Sequence, residues 1–333
     1  MKAWVSHSAG GPETLVLEER PMPAPASGEL MVCVQAVGVN FPDGLLIRDL
    51  YQVKPPRPLV PGSEFCGVIE KVGDAVSDFQ PGDVVMGRCG WGAMAEFIVI
   101  AQERCHKIPS NLPKVEAASF LFAYATAYHA LHDAGRLQPG ETLLILGAAG
   151  GVGSAAVEVG RALGARVIAA VSSKDKLDFA RSRGASDGLV YDPSLQWGED
   201  QKALAARFKE KMPGGSHLVV DPVGGPYSEP ALRSLAPGGR HLVVGFTAGI
   251  PRVPLNLALL KRSHIIGVDW RMFVQEQATA NERNVQSLLR LWQEGSIQPE
   301  VTETYPFSEA PSAIARLETR QTLGKIVVNL NYQ

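Results

Sequence analysis

Hydrophobic and polar positions follow two different patterns along the chain. The first 110 residues contain short apolar stretches between glycines and prolines, at 30–39, 65–72, 83–86 and 95–100. No long helical period comes before residue 114. Short apolar runs bounded by turn residues are typical of β-strands. We therefore predict a β-rich first region.

From residue 141 onward, strands and helices alternate. Five apolar runs predict strands, at 141–146, 166–171, 188–191, 217–221 and 240–244. Helical spacing fills the intervals between them, at 154–163, 174–183, 204–208 and 227–235. This alternation predicts an α/β fold, a doubly wound parallel sheet with helices on both faces.

The last 60 or so residues break this alternation. Helical spacing at 285–293 and 310–317 precedes a final strand at 325–330. We expect the α/β region to be inserted into a β-rich domain that takes both chain ends. The predicted boundaries give 1–117 and 271–333 to the β-rich domain and 118–270 to the inserted one.

A glycine-rich turn joins the first of the five strands to its helix. Its sequence is Gly147-Ala-Ala-Gly150-Gly151-Val152-Gly153. Small residues let the backbone approach a pyrophosphate, and a helix N-terminus supplies N–H groups and a positive dipole end. A closely packed turn without a ligand is the alternative, but the β–α units that follow favour a dinucleotide site.

The end of the second strand indicates which dinucleotide is bound. An NAD site usually has an acidic residue there, which binds the ribose 2′-hydroxyl. Here the residues are Ser172, Ser173, Lys174, Asp175 and Lys176. Hydroxyls and a lysine favour the 2′-phosphate of NADP(H), and Asp175 at a helix start can cap the helix or face solvent. The alternative for both lysines is a solvated helix face.

Composition excludes several other classes of protein. The formal net charge of −2 gives no general attraction to nucleic acid or anionic membranes. The longest apolar run, 117–131, is shorter than the ~18 residues that a membrane span needs. The four cysteines form no CxxC pair. We expect a soluble, cytoplasmic protein with reduced thiols.

Several short motifs resemble those of the medium-chain dehydrogenases/reductases, in the same order. They are Asn40-Phe-Pro-Asp43, Pro61-Gly-Ser-Glu64-Phe-Cys-Gly67, Val72-Gly73, Pro81-Gly-Asp83, Thr126-Ala-Tyr128 and the glycine-rich turn. The turn and the Asn40 segment are most similar to the zinc-free, zeta-crystallin-like NADPH:quinone oxidoreductases. The resemblance implies a Rossmann domain inserted into a GroES-like catalytic domain.

The same resemblance implies that no metal is bound. Zinc alcohol dehydrogenases place a cysteine where Asn40 stands, a histidine where Ser63 stands, and often a second cysteine where Phe122 stands. Catalytic zinc needs three protein ligands, which Asn, Ser and Phe do not supply. Glu64 alone is expected to sit in a hydrogen-bond network.

The resemblance also assigns roles to individual residues. It puts Asn40 and Tyr51 on the substrate side as hydrogen-bond donors, although a surface position is an equal alternative for Tyr51. It places the cofactor against Thr126, Gly150, Gly151, Val152, Ser172, Ser173, Lys176, Tyr191, Val223, Gly224, Gly245, Phe246, Val268, Asp269 and Arg320.

These inferences predict an enzyme that transfers hydride from NADPH to a quinone. A quinone delocalises the charge that it receives, so orientation and a few donors suffice. One alternative is reduction of an activated C=C bond in an enone, enal or enoyl-CoA, the last of which would suit Arg48, Lys54 and Arg57. Another is an NADPH-binding protein with a structural or RNA-binding role, which the near-neutral charge disfavours.

The apolar segment 263–269 follows the five strands and is expected to form the edge of their sheet. An open apolar edge invites pairing with another chain. Pairing with its own copy gives a two-fold homodimer.

Overall fold

The computed structural model describes residues 1–109 and 111–330. The strands in chain order are β1 Lys2–Val5, β2 Val16–Glu19, β3 Glu29–Val39, β4 Glu64–Val72, β5 Val84–Arg88, β6 Phe97–Ala101, β7 Cys105–Lys107, β8 Thr142–Leu146, β9 Arg166–Val171, β10 Asp187–Val190, β11 Ser216–Asp221, β12 Leu235–Val243, β13 His264–Gly267, β14 Val301–Pro306 and β15 Lys325–Asn329.

The helices in chain order are α1 Phe41–Ile47, α2 Lys114–Ala117, α3 Thr126–Tyr128, α4 Gly151–Ala162, α5 Lys174–Ser182, α6 Glu199–Lys211, α7 Ser228–Ser234, α8 Asn256–Lys261, α9 Trp270–Glu276, α10 Ala278–Gln293 and α11 Ala310–Glu318. Two π-helical turns, Leu121–Ala125 and His129–Ala134, flank α3. None of the helices in the described part of the chain has the length and apolar character that crossing a membrane requires.

The described residues fall into two compact units. The first unit is formed from Met1–Phe122 and Pro299–Gln333, and the second from Ala123–Gln298. The second unit extends beyond the predicted boundary at residue 270 because α9 and α10 pack within it. Trp270 donates its indole N–H to Asn281 at 2.8 Å, and Asn284 donates to Asp133 at 2.7 Å.

The second unit is built on a parallel sheet with the strand order β10-β9-β8-β11-β12-β13. All five residues of β8 are buried, as expected for a strand covered on both faces. The predicted doubly wound arrangement is confirmed. β13 lies at one edge, as predicted, and Ile265 on this strand is 42% exposed.

The first unit is built around the long strand β3. Its sheet has the order β14-β15-β3-β4-β5-β7, and β6 also pairs with β3. Residues 29–33 of β3 pair with β6, whereas 36–39 pair with β15, so two strands share one side of β3. The register Ile326↔Val39 sets the start of β15 beside the end of β3. That junction positions the candidate site of this unit.

Candidate functional site

The end of β3 places Asn40 at the N-cap of α1. Its backbone is extended there, with φ −126° and ψ 152°. The Asn40 backbone N–H donates to Asp43 Oδ2 at 2.7 Å, which is one half of a capping box. Both side chains are buried. The local sequence therefore turns an amide and a carboxyl group into the interior of the first unit.

The orientation of the Asn40 amide is set by two partners with a single role each, the Lys325 ammonium, which only donates, and the Glu64 carboxylate, which only accepts. Lys325 Nζ, which can only donate, lies 2.5 Å from Asn40 Oδ1. Asn40 Nδ2 donates to Glu64 Oε1 at 2.9 Å and to Ser63 Oγ at 3.1 Å. Both amide hydrogens are therefore engaged. The predicted donation from Asn40 to an acceptor would require one of these bonds to open.

Lys325 and Glu64 form a buried ion pair. Their charged atoms are 3.0 Å apart, and their side chains are 7% and 1% exposed. Lys325 Nζ also donates to Val39 O at 3.1 Å, and Glu64 Oε2 accepts the Phe122 backbone N–H at 2.9 Å. A buried pair of this kind is stable only when its other donors and acceptors are satisfied, as they are here.

The sequence prediction missed Lys325, although the sequence contains a signal for it. Lys325 directly precedes the apolar run Ile326-Val327-Val328, which predicts a buried strand, and in the structure the first four residues of β15 are buried. A lysine is almost never fully buried unless it is paired. Its partners Asn40 and Glu64 lie 285 and 261 residues away in the sequence, so no local pattern identifies them.

Asp43 adds a second buried carboxyl group to this network. Burial raises the pKa of Asp43 to about 7, while the Asn40 N–H and the Lys325 charge lower it and Glu64 raises it further. Asp43 Oδ1 has no hydrogen-bond partner among the described residues. One ammonium thus faces two carboxyl groups, which favours a retained proton near neutral pH.

This donor set does not fit a tetrahedral zinc ion, which takes thiolate, imidazole or carboxylate ligands. Asn40 directs its oxygen at an ammonium, Ser63 offers a hydroxyl, and Phe122 contributes a backbone N–H that donates to Glu64. Within residues 1–109 and 111–330, no group of three or more His, Cys, Asp or Glu residues could hold a metal ion.

The loop after α1 contains Tyr51 and the basic residues considered for a coenzyme A ester. Tyr51 is half-buried. Arg48 forms an ion pair with Glu318, and Arg57 donates to Asp49 at 2.8 Å. Both arginines thus have partners within the first unit, whereas Lys54 is exposed, and the enoyl-CoA alternative stays open.

In the second unit, the glycine-rich turn follows β8 directly. Gly147 has φ +60°, and α4 begins at Gly151 with Gly150 as its N-cap. A Cβ at Gly153 would lie 2.1 Å from Gly147 O, so only glycine fits there. The predicted Gly150, Gly151 and Val152 thus form the N-terminus of a 12-residue helix. The N–H groups of such a first turn lack partners within the helix and suit a phosphate.

The predicted 2′-phosphate residues gather at the end of β9. Lys176 Nζ donates to Ser172 Oγ at 2.9 Å. Ser173 is the N-cap of α5, and its Oγ accepts the Lys176 backbone N–H at 3.3 Å. Partial burial lowers the pKa of the Lys176 ammonium. Asp175 is exposed, which agrees with the expectation that it faces solvent.

Tyr191 follows β10 and is buried. The residue is 6% exposed, and its ring packs against Tyr227 with ring centroids 4.7 Å apart. Burial is the main cause that raises the pKa of the Tyr191 hydroxyl, and a hydrogen bond with the backbone of Gly147 opposes the shift. Tyr191 therefore connects β10 to the glycine-rich turn, and its contact with a 2′-phosphate stays a prediction.

Two further predicted loops meet at the carboxyl edge of the same sheet. After β11, the N–H of Gly225 donates to Gly249 O at 2.6 Å, and Val223 O accepts the N–H of Ala248 at 2.7 Å. Gly224 has φ +71°, and a Cβ there would lie 2.5 Å from Gly249 O. The loop with Val223 and Gly224 is thus interlocked with the one that begins at Gly245.

A buried carboxylate that the sequence prediction missed holds the first of these loops. Asp221 Oδ1 accepts the N–H groups of Val223 at 2.9 Å and Gly224 at 2.8 Å. Its Oδ2 accepts from Ser228 Oγ and lies 3.1 Å from His241 Nε2. Burial alone raises the pKa of Asp221, but the bonds from His241, Gly224 and Ser228 outweigh it and the net pKa is lowered. Its position between an apolar strand and a Gly-Gly turn is the signal that could have identified it.

The other predicted residues occupy varied positions. Val268 and Asp269 follow β13, and Asp269 is the N-cap of α9. Thr126 is buried in α3. Arg320 follows α11 with φ +58°. Arg320 belongs to the first unit, together with Asn40 and Tyr51, which are predicted to face the acceptor. All the other predicted cofactor residues belong to the second unit.

Known proteins resemble the chain over nearly its whole length. A model of the alcohol dehydrogenase GroES-like domain matches residues 26–110, and one of the zinc-binding dehydrogenase domain matches 151–286. Quinone oxidoreductase-like protein 2 of Bos taurus is 37% identical over 319 residues, which cover 95% of this chain and 89% of the relative. The chain belongs to the medium-chain dehydrogenase/reductase family.

Solved structures agree with this assignment. Escherichia coli quinone oxidoreductase complexed with NADPH has a TM-score of 0.90 at 27% identity, covering 99% of this chain and all of that one. A mycobacterial protein complexed with NADPH has a TM-score of 0.90 at 30% identity, covering 99% of each chain. Within the family, the chain stands with the quinone oxidoreductases, as its motifs indicated, and it is an oxidoreductase. The predicted Rossmann and GroES-like domains are confirmed.

Proposed function

We propose that the chain uses NADPH to reduce a small quinone and that it needs no metal. The observation that carries the proposal is the Lys176–Ser172 pair at the end of β9, where an NAD site has a carboxylate. An ammonium and a hydroxyl suit the charge and the acceptor oxygens of a 2′-phosphate. The two relatives solved with NADPH support the same cofactor.

The second unit offers groups for the rest of the dinucleotide. The N–H groups of Gly151 and Val152, in the first turn of α4, suit the pyrophosphate, whereas the Gly150 N–H donates to Gly147 O at 3.0 Å and holds the turn. The interlocked loops after β11 and β12 are fixed by Asp221 and suit the nicotinamide half. Fixed loops lower the cost of binding, because less of the chain has to be ordered by the ligand.

On the acceptor side, neutral donors stabilise the charge that develops on a quinone oxygen. NADPH supplies the hydride, and the protein supplies orientation and hydrogen bonds. Because both amide hydrogens of Asn40 are engaged, we assign direct donation to Tyr51 and give Asn40 the role of orienting Ser63. A quinone spreads charge over its ring, so it needs less stabilisation than a localised oxyanion.

The charge already present in the first unit supports zinc independence. The Lys325 ammonium lies against Asn40 Oδ1 and Glu64 Oε1, so a divalent cation at that position would face a like charge. An alcohol would need such a cation to lose its hydroxyl proton, whereas a quinone does not. We therefore expect quinone reduction without useful oxidation of simple alcohols.

Initial rates with a quinone, an enal, an enoyl-CoA and a primary alcohol, with the matching redox form of the cofactor and before and after chelator treatment, test the proposal. We expect the quinone to react fastest, chelation to have no effect, and the protein to contain no stoichiometric zinc. A fastest rate with the alcohol, or loss of zinc together with activity, would show that the mechanism is wrong. A fastest rate with the enal or enoyl-CoA would change the substrate class and leave the cofactor in place.

We also propose a cytoplasmic homodimer that acts on small molecules. The four free cysteines fit a reducing compartment, and burial raises the pKa of Cys66 and Cys105 to about 12, so these thiols are unreactive. The open edge of β13 supports pairing of two copies. The net charge of −2 gives no support for a nucleic-acid partner.

A further inference from the structure

The hydrogen bonds around Asn40 run in one direction. Lys325 Nζ directs its donors at Val39 O, Asn40 Oδ1 and Glu64 Oε1, at 3.1, 2.5 and 3.0 Å. The Asn40 amide passes its own hydrogens to Glu64 and Ser63. Ser63 Oγ therefore accepts from Asn40 and has one hydrogen of its own to donate. The Asp43 carboxyl is one neighbour for that hydrogen, since a hydrogen bond with Ser63 lowers the pKa of Asp43. The series of donors begins at a buried ammonium and ends at the Ser63 hydroxyl.

We propose that Lys325 is a positioning residue of the acceptor side, which fixes the Asn40 amide so that Ser63 offers a donor and not an acceptor. The inference rests on the proposed function, which places the quinone on the side of Asn40. It extends that function to a residue of the last strand that contacts the site only through other side chains.

Charge explains why the ammonium is needed for this orientation. Without Lys325, Glu64 would be an uncompensated buried carboxylate, and such a group takes up a proton. A protonated Glu64 can donate to Asn40 Oδ1, and the amide can then turn its oxygen toward Ser63. The direction of the hydrogen bonds would reverse, and Ser63 would direct its hydrogen at Asn40.

Neighbouring backbone atoms hold the Glu64 carboxylate in place. The carboxylate therefore cannot move away from the Asn40 amide when the Lys325 charge is removed. A Cβ at Gly38 would lie 2.7 Å from Glu64 Oε1 and 2.5 Å from Ala118 O, so this side of the carboxylate is closely packed. The Phe122 N–H binds Glu64 Oε2 from the other side at 2.9 Å. The carboxylate therefore stays beside the Asn40 amide whether Lys325 is present or not.

The test compares Lys325→Met, the double variant Lys325→Met/Glu64→Gln, and Lys71→Met as a control at an exposed position of β4. Each full-length protein is assayed for Tm, for kcat and KM with a quinone, and for KM with NADPH. We expect Lys325→Met to lower both Tm and kcat. The double variant has no uncompensated Glu64 charge, so its Tm should recover while kcat stays roughly tenfold or more below the parent value. KM for NADPH should stay within about twofold in all variants.

A merely structural role of Lys325 would let kcat recover together with Tm in the double variant, and that result would overturn the proposal. An unchanged kcat in Lys325→Met would overturn it as well. If none of the tested acceptors supports NADPH oxidation by the parent protein, the proposed function fails separately. Crystal structures of the parent and the double variant then decide the inference, because an Asn40 amide that keeps its contacts without Lys325 would refute it.

Discussion

At the scale of single residues, an ammonium at the end of β9 distinguishes the two nicotinamide dinucleotides. Lys176→Ala should weaken NADPH binding about tenfold or more, since a hydrogen bond to a charged group contributes roughly 1.5–3 kcal/mol. NADH has no 2′-phosphate, so its affinity should stay near the parent value. Titration calorimetry with both cofactors measures the difference. Lys174→Ala removes an exposed lysine two positions away and serves as the control. An equal loss of affinity for both cofactors would contradict the assignment.

Asp43 should make the stability of the protein depend on pH. Burial raises its pKa from 3.8 to about 7, so between these values the folded state holds a proton that the unfolded chain has released. The free energy of unfolding should therefore fall as pH rises through this window, by at most about 1.4 kcal/mol per pH unit, and the contribution of Asp43 should level off above it. Urea unfolding at several pH values measures the slope.

The matched variant for this test is Asp43→Asn, which keeps an oxygen that can accept the Asn40 backbone N–H. Its stability should change less steeply with pH over the same window. If parent and variant show the same slope, Asp43 is not the titrating group.

At the scale of elements, the strand–turn–helix from β8 to α4 requires glycine at one position and tolerates a side chain at another. A Cβ at Gly153 would meet Gly147 O at 2.1 Å, whereas the nearest atom to a Cβ at Gly150 is 3.6 Å away. Gly153→Ala should destabilise the protein by about 1–3 kcal/mol, the usual cost of overpacking. Gly150→Ala should stay within about 0.5 kcal/mol of the parent. Thermal unfolding of both variants tests this, and equal Tm values would be the contrary result.

At the scale of the whole molecule, β13 ends the sheet of the second unit with an open edge. Exposed apolar side chains lie on this strand at Ile265, on the preceding helix α8 at Leu259 and Leu260, and at the N-cap of α8, Leu255. Two copies that pair through this edge would sediment at twice the chain mass of 35.6 kDa. Ile265→Asp puts like charges on both copies and should shift the protein toward monomer. Met22→Asp, at an exposed position of the first unit, should leave the dimer intact. A parent protein that is monomeric at micromolar concentration would contradict the proposed assembly.

The chain sequence by itself determined the order of strands and helices in the inserted unit. The period of the apolar residues is a local property, and the runs at 141–146 and 166–171 became β8 and β9 almost unchanged. Glycine requirements are also local, so the turn from Gly147 to Gly153 could be recognised before any contact was known. The end of the second unit could not be recognised from the sequence. α9 and α10 belong to that unit through contacts between distant residues, such as Asn284 with Asp133.

Only the tertiary structure decided the partners of the buried charges. Lys325 meets Asn40 because β15 pairs with β3 in the register Ile326↔Val39, and no spacing in the sequence encodes that register. Asp221 and His241 likewise meet across the neighbouring strands β11 and β12. A buried ion or polar group is stabilised by whatever donors and acceptors the fold brings within about 3 Å of it. Residue type shows that such a group needs a partner, and the pairing of distant strands determines which residue that partner is.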